Sequence, residues 1–382
     1  MKEGWTYKKL GEVCDILDYM RKPITKGKRE TGSIPYYGAT GCLDFVKDFI
    51  FDEKLVLLGE DGAKWGSGEN SAYIIDGKSW VNNHAHVLRP KRDILIDEFL
   101  VYYLNYENLQ PFITGVTVPK LNQEKMRSII IPVTSNKEQQ RIVSRLDAAF
   151  SHIDELKANA EKQLSEARAL FQKSLAKAME SKRGWEKRTL DNICNLNCGF
   201  AFDSKGYTNK EDDILLVCGD NIIHCGFRWE TIKRWPKEDY EGLNRFALKE
   251  NDIVLAMDRP WVKSGLKIAK ISKNELPSLL IQRTACIRSG KNTYPAFLYY
   301  ALQTEAFIKH LVTQQTGVGV PHISGRQILS FDISIPPLSE QQRIVERLDA
   351  LSAHVRELEE NQKKIISECD ALKQALLRKV FE

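Results

Sequence analysis

Apolar residues recur at helical spacing in two long stretches of the chain, residues 138–180 and residues 340–382. Most steps between them are three or four residues, which is the pattern of a single apolar stripe on an α-helix. The stripe follows a heptad-like repeat with one four-residue slip, and neither stretch contains proline or glycine. Both stretches are therefore predicted to be long helices whose stripes need a partner. The predicted stripe positions are Ile142, Leu146, Ala149, Ile153, Leu156, Ala160, Leu164, Phe171, Leu175 and Ala178 in the first stretch, and Ile344, Leu348, Leu351, Val355, Leu358, Ile365, Cys369, Leu372 and Leu376 in the second.

The two stretches are also copies of each other. Both open with the sequence Glu-Gln-Gln-Arg-Ile-Val, at Glu138 and Glu340, and the offset of 340 − 138 = 202 holds without a gap to Glu180 and Glu382. An internal repeat of this kind indicates a duplicated structural unit. The obvious partner for each helix is its own copy, so the sequence predicts a coiled coil. Its simplest interpretation is a stalk that carries no chemistry of its own.

Short apolar runs, separated by turn residues, precede each predicted helix and are typical of strands. A glycine loop comes before the last strand of each set, and the ends of the two sets resemble each other while their middles differ. The predicted elements are strands at 34–38, 55–59, 72–75, 85–88 and 129–132 with a helix at 99–109 and a loop at 114–119, and then strands at 252–256, 284–287 and 333–336 with a helix at 297–311 and a loop at 316–321.

These patterns divide the chain into four parts: residues 1–135 (head one), a helix at 136–181, residues 182–337 (head two), and a helix at 338–382. The predicted fold class is mixed α/β (α+β), with two globular domains separated and joined by two long antiparallel coiled-coil helices with pseudo-two-fold symmetry. Duplex DNA has a matching dyad, and two heads related in this way can read two half-sites on opposite strands. Different middles in the two heads then predict different half-sites.

The amino-acid composition excludes some classes of function but does not identify one. The net charge of +5 and the pI of about 8.6 are compatible with nucleic-acid binding but not diagnostic of it. Residues 138–180 hold seven Lys or Arg and seven Asp or Glu, so any excess of positive charge that faces DNA must lie on the heads. Eight scattered cysteines without Cys-x-x-Cys spacing predict neither disulfides nor a zinc site. No run has the length of a membrane span or the form of a signal peptide, so we expect a cytoplasmic protein with no membrane contact.

The segments around the repeat carry a resemblance to a known family. The sequence Ile-Pro-Pro-Leu-Ser-Glu-Gln-Gln-Arg-Ile-Val at 335–345, its counterpart at 131–143, and the segments 58–63 and 80–88 resemble the specificity (S) subunits of type I restriction-modification systems. The resemblance covers the whole chain in the order recognition domain, helix, recognition domain, helix.

Several expectations follow from this resemblance alone. It implies two target recognition domains, a bipartite duplex DNA target with a fixed gap, and helices that set this gap. It implies two partner methyltransferase (M) subunits that modify adenine, and restriction (R) subunits that carry ATP-driven translocation and cleavage. The chain itself would then need no cofactor, because S-adenosylmethionine, ATP and Mg would belong to the partner subunits.

A search for catalytic motifs agrees with a subunit that is not an enzyme. An adenine methyltransferase needs an Asn/Asp-Pro-Pro-aromatic tetrad, and the closest match at 258–261 has Arg259 where the first proline should be. The phosphate-loop ending at 77–79 lacks its first glycine, because Ala72 stands there. We therefore predict no catalytic residue and no metal site.

The candidate DNA contacts lie in polar loops of both heads. Arg suits guanine, Asn and Gln suit adenine, and Lys, Arg and His suit phosphate. Two alternatives stay open: the tryptophans can belong to the core or its rim, and Asn83 and His84 can hold a turn through side-chain hydrogen bonds. The candidates are Lys64, Trp65, Asn82, Asn83, His84 and Lys120 in head one, and Arg259, Trp261, Lys263, Gln282, Arg283, His322 and Arg326 in head two.

A second function fits the same architecture. Two protein-binding heads on a coiled coil would form a scaffold without enzymatic activity, and the balanced stalk and modest net charge allow it. Salt discriminates between the two, since an interface with several phosphates loses affinity steeply as salt rises.

Overall fold

Two compact units make up the chain in this computed structural model, which describes residue 2 and residues 4–263, 265–315 and 321–382. Unit 1 comprises residues 1–162 and 361–382, and unit 2 comprises residues 163–360. The second predicted glycine loop falls almost entirely on residues 316–320, outside the described residues.

Unit 1 contains head one and the parts of both long helices that pack on it. Its central sheet has the order β2-β9-β6-β7, and a second four-stranded sheet has the order β4-β3-β8-β5. The elements are β1 Thr6–Lys9, α1 Leu10–Val13, β2 Cys14–Ile16, β3 Thr31–Gly38, β4 Gly41–Val46, β5 Phe51–Asp52, β6 Leu55–Gly59, β7 Ala72–Ile75, β8 Lys78–Val81, β9 Ala85–Pro90, α2 Asp97–Tyr106, α3 Gln123–Arg127, β10 Ile130–Val133 and α4 Asn136–Ala178, the last of which continues into unit 2.

Unit 2 contains head two and is built on the same central sheet order, β12-β22-β17-β20. Its sheet β16-β13-β21 repeats the pairing of β4-β3-β8 in unit 1, because β13 and β3 are each antiparallel to one neighbour and parallel to the other. Among the described residues, the two-stranded sheets β14-β15 and β18-β19 have no counterpart order in unit 1. The elements are β11 Glu186–Thr189, β12 Cys194–Cys198, β13 Ile214–Val217, β14 Ile222–Ile223, β15 Gly226–Phe227, β16 Arg234–Trp235, β17 Ile253–Ala256, β18 Trp261–Val262, β19 Gly265–Leu266, β20 Ile268–Lys270, β21 Ser278–Leu280, β22 Thr284–Ser289, α5 Pro295–Ala301, α6 Glu305–Gln314, α7 Gly325–Leu329, β23 Asp332–Ile335 and α8 Leu338–Phe381.

The apolar strands at the centre of each sheet are explained by burial on both faces. In β6, Val56 and Leu58 enter one core cluster while Leu55 and Leu57 enter another. In β17, alternate residues are divided between two clusters in the same way. Because successive side chains of a strand point to opposite faces, a strand covered on both faces reads as a continuous apolar run. The predicted mixed α/β class with two domains and long helices is confirmed.

One predicted helix is wrong. The stretch 297–311 is divided into α5 and α6, because the chain turns between Ala301 and Glu305. Thr304 caps the second helix: its side chain accepts a hydrogen bond from the backbone N–H of Phe307 at 3.4 Å. The apolar periodicity continues across this break, so it could not reveal it. The helix predicted at 99–109 also ends early, at Tyr106.

The long helices α4 and α8 pair antiparallel in each unit. In unit 1, Lys157 lies 2.7 Å from Asp370 and Lys373 lies 2.6 Å from Asp154. In unit 2, Arg168 lies 2.7 Å from Glu359. The partner residue number falls as the α4 number rises, which is the register of an antiparallel pair.

The buried stripe is narrower than the sequence predicts. Over the middle of α4 it follows a seven-residue step, with Leu146, Ile153, Ala160 and Ala167 buried. Small residues at two of these steps let the helices approach closely. Three predicted stripe residues are exposed instead, because they lie beside the narrow contact rather than in it. They are Leu156 (56% exposed), Ile365 (38%) and Leu372 (48%).

The repeated Glu-Gln-Gln-Arg sequence has a structural explanation in its first glutamine. The Gln139 side chain is fully buried; its amide donates to the carbonyls of Ile94 and Thr134 at 2.8 and 2.7 Å, and its Oε1 accepts from the N–H of Ile96 at 2.9 Å. Gln341 does the same in unit 2, accepting from Tyr294 at 2.7 Å. The glutamine therefore fixes the start of each long helix to its own head.

Among the described residues, no helix is long and apolar enough to cross a membrane.

Candidate nucleic-acid interface

The same edge of the central sheet collects the polar loops in each head. In head one, Gly59 at the end of β6 pairs with Ala85 at the start of β9, so residues 60–61 and 83–84 meet there. In head two, Ala256 pairs with Thr284, which brings 257–259 and 282–283 together. A third segment, which precedes α3 in head one and α7 in head two, joins this edge through one isolated β-bridge in each head. The bridges are Asp61↔Lys120 and Asp258↔His322. Most residues predicted from three separate loops are thus brought to one edge.

The register also shows which positions of the two heads correspond. Glu60 and Met257 each follow the central strand and donate their backbone N–H to the residue before the next strand, His84 and Arg283. Asp61 therefore corresponds to Asp258, and Lys120 to His322. The heads present the same site with different side chains.

In head two this edge is organised around Asp258. One carboxylate oxygen accepts a hydrogen bond from Nη1 of Arg283 at 2.8 Å, and the other lies 2.5 Å from Nδ1 of His322. The Arg283 side chain is nevertheless 71% exposed, and Arg259 is exposed beside it. The three basic residues therefore present their polar groups to solvent at one point of the surface.

The remaining head-two candidates lie around this edge. Gln282 is exposed next to Arg283, Lys263 is exposed after β18, and Arg326 is exposed on α7. Trp261 is half-buried against the core, and its indole N–H donates to Oε1 of Gln315 at 3.1 Å. Trp261 thus fits the interpretation of rim packing while keeping one face at the surface.

In head one the candidates Lys64, Asn83 and His84 are exposed, and Lys120 is half-buried. His84 Nδ1 lies 2.5 Å from Oδ1 of Asp61, so the equivalent aspartate again contacts a basic side chain. Lys120 pairs with Glu60 at 2.7 Å, and Lys64 lies 3.8 Å from Glu69.

Two head-one candidates are placed in the interior. Trp65 is 4% exposed within the core cluster, and its indole N–H donates to the carbonyl of Gly59 at 2.9 Å. Asn82 is 3% exposed, and its side-chain oxygen accepts from the N–H of His84 at 2.8 Å. Trp65 thus follows the alternative of core packing, whereas Asn82, for which the sequence predicted only a DNA contact, supports the turn before β9. Neither side chain offers a surface to DNA.

Sequence reasoning missed a buried ionic cluster directly beneath the head-one edge. It consists of Asp18, Arg21, Glu60 and His86, with Lys120 and Gln123 at its border. Its members come from four distant segments, so no spacing marks them. The one available signal is a histidine and an acid next to strands that are otherwise apolar.

Hydrogen bonds hold this cluster together. The two ring nitrogens of His86 each lie 2.7 Å from an oxygen, one in the carboxylate of Asp18 and the other in the carbonyl of Leu121. Burial raises the pKa of Asp18, but hydrogen bonds from His86, Gln123 and the N–H of Val87 outweigh it, so this pKa lies below its ordinary value. The pKa of Glu60 is also lowered, because Lys120 and Arg21 outweigh burial.

Asp18, Glu60 and His86 are the one group of possible metal ligands among the described residues, with ligand atoms within 4.8 Å of one another. Their atoms are already engaged, since Glu60 contacts Arg21 at 2.5 Å and Lys120 at 2.7 Å. A cation at this point would lie beside these two positive groups and the His86 ring. The chemistry of the cluster therefore fits internal ion pairing better than metal binding.

Acid should weaken head one before head two. Asp18 and Glu60 have folded-state pKa values below their ordinary 3.8 and 4.5, so their stabilisation is complete above those values and is lost as the pH falls through the lower folded-state values. We expect hydrogen exchange in β6 and β9 to accelerate below about pH 4 more than exchange in β17 and β22. Equal acceleration in the two sheets would contradict this origin.

Comparison with known proteins identifies the family. The family described as "Type I restriction modification DNA specificity domain" matches residues 2–166 and again residues 182–368. The specificity subunit of the Escherichia coli type I restriction enzyme EcoAI is 37% identical over 176 residues, which span 46% of this chain and 29% of that protein. The MjaVIII specificity subunit of Methanocaldococcus jannaschii is 24% identical over 370 residues, which span 91% of this chain and 86% of that protein.

Solved structures agree at the level of fold. A chain from a study of complex assembly and conformational transition of the type I R-M system has a TM-score of 0.73 at 18% identity, covering 100% of this chain and 98% of that chain. The HsdS subunit of Thermoanaerobacter tengcongensis has a TM-score of 0.51 at 18% identity, covering 100% and 97%. With two family matches that together account for most of the sequence, the chain belongs to the family of type I restriction-modification specificity subunits.

Proposed function

We propose that this chain reads a bipartite duplex DNA target, with head one and head two each recognising one half-site. The observation that carries the proposal is the duplicated sheet edge. Both heads bring three loops to the same position, and the side chains there differ: His84 and Lys120 in head one, Arg283 and His322 in head two. A shared scaffold with different polar side chains is what two readers of different sequences require.

The proposed contacts divide by chemistry. Arg can donate two hydrogen bonds to guanine, Asn and Gln can pair with adenine, and Lys and His supply charge to phosphates. Arg259, Arg283, Gln282, Asn83 and His84 are proposed for base edges, and Lys64, Lys120, Lys263, His322 and Arg326 for phosphates, with Trp261 at the rim.

We also propose that the long helices set the gap between half-sites and dock two M subunits. The continuous helices α4 and α8, of 43 and 44 residues, support a spacing role. Exposed leucines on these helices, Leu156, Leu170 and Leu372, support docking, because apolar side chains at a surface favour a protein partner. The chain would hold no catalytic residue, and adenine methylation and ATP-dependent cleavage would belong to the M and R subunits in the cytoplasm.

The scaffold function remains the second candidate, since the exposed leucines would serve any protein partner. It does not account for the basic residues gathered at both sheet edges. A scaffold would show weak duplex binding with little dependence on salt, whereas contacts with several phosphates make affinity fall steeply between low and physiological salt.

A genome-wide map of N6-methyladenine, in cells with and without this chain, tests the proposal directly. We expect a split motif with a fixed gap, methylated on both strands, to disappear with the chain. An unchanged map in cells that express the chain and its partners would contradict the methylation role.

A length variant of the helices tests the spacing role in the same map. It adds seven residues to α4 between residues 157 and 168 and seven to α8 between residues 359 and 370. Each helix lengthens by roughly 10 Å, so the gap should grow by about three base pairs while the half-sites stay the same. A gap that keeps its length would show that the helices do not set it.

A further inference from the structure

Asp258 lies at a point of head two where side chains from three loops are joined by charge. Its two carboxylate oxygens are both engaged, one with Nη1 of Arg283 at 2.8 Å and one with Nδ1 of His322 at 2.5 Å. The carboxylate itself is mostly covered, whereas the Arg283 side chain is 71% exposed. Asp258 thus holds one end of a guanidinium whose other donors face solvent.

The backbone gives a second, independent sign that these side chains matter. Four non-glycine residues among those described have φ values in the left-handed region, and two of them flank this site: Arg259 at 44° and Arg283 at 63°. This conformation is unfavourable for any residue with a Cβ and is found preferentially at functional sites.

Head one shows that the fold does not require an arginine at either position. Gly62 follows Asp61 as Arg259 follows Asp258, and it has a φ of 69°, so the turn is met there without strain. His84, the counterpart of Arg283, is not among the residues with positive φ. Head two therefore keeps two arginines in a strained backbone beside one aspartate, although the same scaffold forms without them.

We propose that Asp258 is a positioning residue that fixes Arg283, together with His322, for reading a guanine in the second half-site. The inference rests on the proposed function that head two binds DNA. A guanidinium discriminates guanine by two parallel hydrogen bonds, which demand a fixed orientation of its plane. The contact between Asp258 and Nη1 restricts that orientation while leaving Nε and Nη2 free to face a base edge.

The Asp258→Asn variant separates positioning from simple electrostatics. It keeps the shape of the side chain and removes a negative charge near the phosphates, so affinity for unrelated duplex should stay equal or rise. Discrimination at one G·C pair of the second half-site should fall about tenfold, and discrimination in the first half-site should not change. The experiment measures binding of the full chain, assembled with its methyltransferase partner, to the target duplex, to single-pair variants of each half-site and to unrelated duplex.

Asp252→Asn is the matched control. Asp252 immediately precedes β17, whereas Asp258 follows that strand, and it pairs with Arg288 through two contacts of 2.7 and 2.5 Å. It removes an ion pair of the same chemistry in the same head, so any general loosening of the fold will affect both variants. Only Asp258→Asn should reduce guanine discrimination.

Arg283→Lys is the second variant, since this exposed side chain can be changed without disturbing the core. It keeps the charge and loses the planar pair of donors, so it should lose the same discrimination as Asp258→Asn, and the double variant should lose no more than either. Full discrimination in either single variant, or an equal loss in Asp252→Asn, overturns the inference while leaving the proposed function intact. Wild-type protein that does not discriminate at any position of the second half-site would instead contradict the proposed function.

Discussion

Replacing Glu60 by methionine is expected to lower the free energy of unfolding of head one by about 3–5 kcal/mol. The substitution removes the partner of two positive groups, Arg21 at 2.5 Å and Lys120 at 2.7 Å, and leaves the His86 ring with the Asp18 carboxylate alone. The Arg21 side chain is largely buried, so water cannot replace the lost carboxylate. A buried charge without a partner is among the costliest single changes in a protein.

Replacing all four residues of the buried cluster should lower the free energy of unfolding far less than Glu60→Met alone does. Head two forms the same strand ends with uncharged residues. Cys198, Ala285 and Met257 occupy the positions that Asp18, His86 and Glu60 occupy in head one. Cys198 pairs with Ala285 across the sheet and contacts Met257. Ala201 follows Cys198 at the distance at which Arg21 follows Asp18. The combined variant Asp18→Cys, Arg21→Ala, Glu60→Met and His86→Ala removes the four deeply buried ionisable side chains of the cluster at once. We expect it to recover more than half of the stability lost in Glu60→Met.

Urea unfolding of the full chain, with hydrogen exchange read separately in β6 and β9, measures both variants. Head two serves as an internal reference, because β17 and β22 are unchanged. A loss below about 1 kcal/mol for Glu60→Met would mean that the cluster behaves like an exposed ion pair. A combined variant as unstable as the sum of its single changes would contradict the coupling within the cluster.

The central strands and the loops beside them could be predicted from the sequence, because a strand that is buried on both faces has an uninterrupted run of apolar residues. The run at β6 and the turn residues around it predict both the strand and the polar edge where it ends. The family resemblance then supplies the order of the four parts. Asn83, His84, Arg259 and Arg283 are exposed at these edges as expected.

The sequence-based predictions failed where the same residue type can be either buried in the core or exposed at the surface. Trp65 lies in a glycine-rich loop, but its indole is large enough to reach back and fill the core of head one. Leu156 matches the helical stripe in spacing, yet the helices meet along a narrower line that passes through Ala160 and Ala167. Periodicity shows which face of a helix is apolar but not how wide the contact is. The cluster around His86 depends on contacts between distant segments, which no local pattern contains.

The other large effect concerns the glutamine that joins each long helix to its head. Gln139→Leu should lower the free energy of unfolding by about 3–5 kcal/mol, because it leaves the N–H of Ile96 and the carbonyls of Ile94 and Thr134 without their partner. Each stranded group costs about 1–3 kcal/mol when buried, and leucine cannot bond to any of them. Urea unfolding and hydrogen exchange at residues 94–96 measure the loss. Gln341→Leu should produce the equivalent loss in unit 2, at residues 292–294.

The neighbouring glutamine provides the matched control for each site. Gln140 and Gln342 occupy the next position of the repeated sequence and are exposed, so the same change to leucine should alter stability by less than about 0.5 kcal/mol. If Gln140→Leu were as damaging as Gln139→Leu, the cost would come from an added apolar side chain at the helix start rather than from the lost hydrogen bonds. If both were harmless, the bonds from Gln139 would be replaceable by water. The fold would then not require the buried glutamine. The repetition of the Glu-Gln-Gln-Arg sequence would instead be explained by a partner that contacts its exposed face.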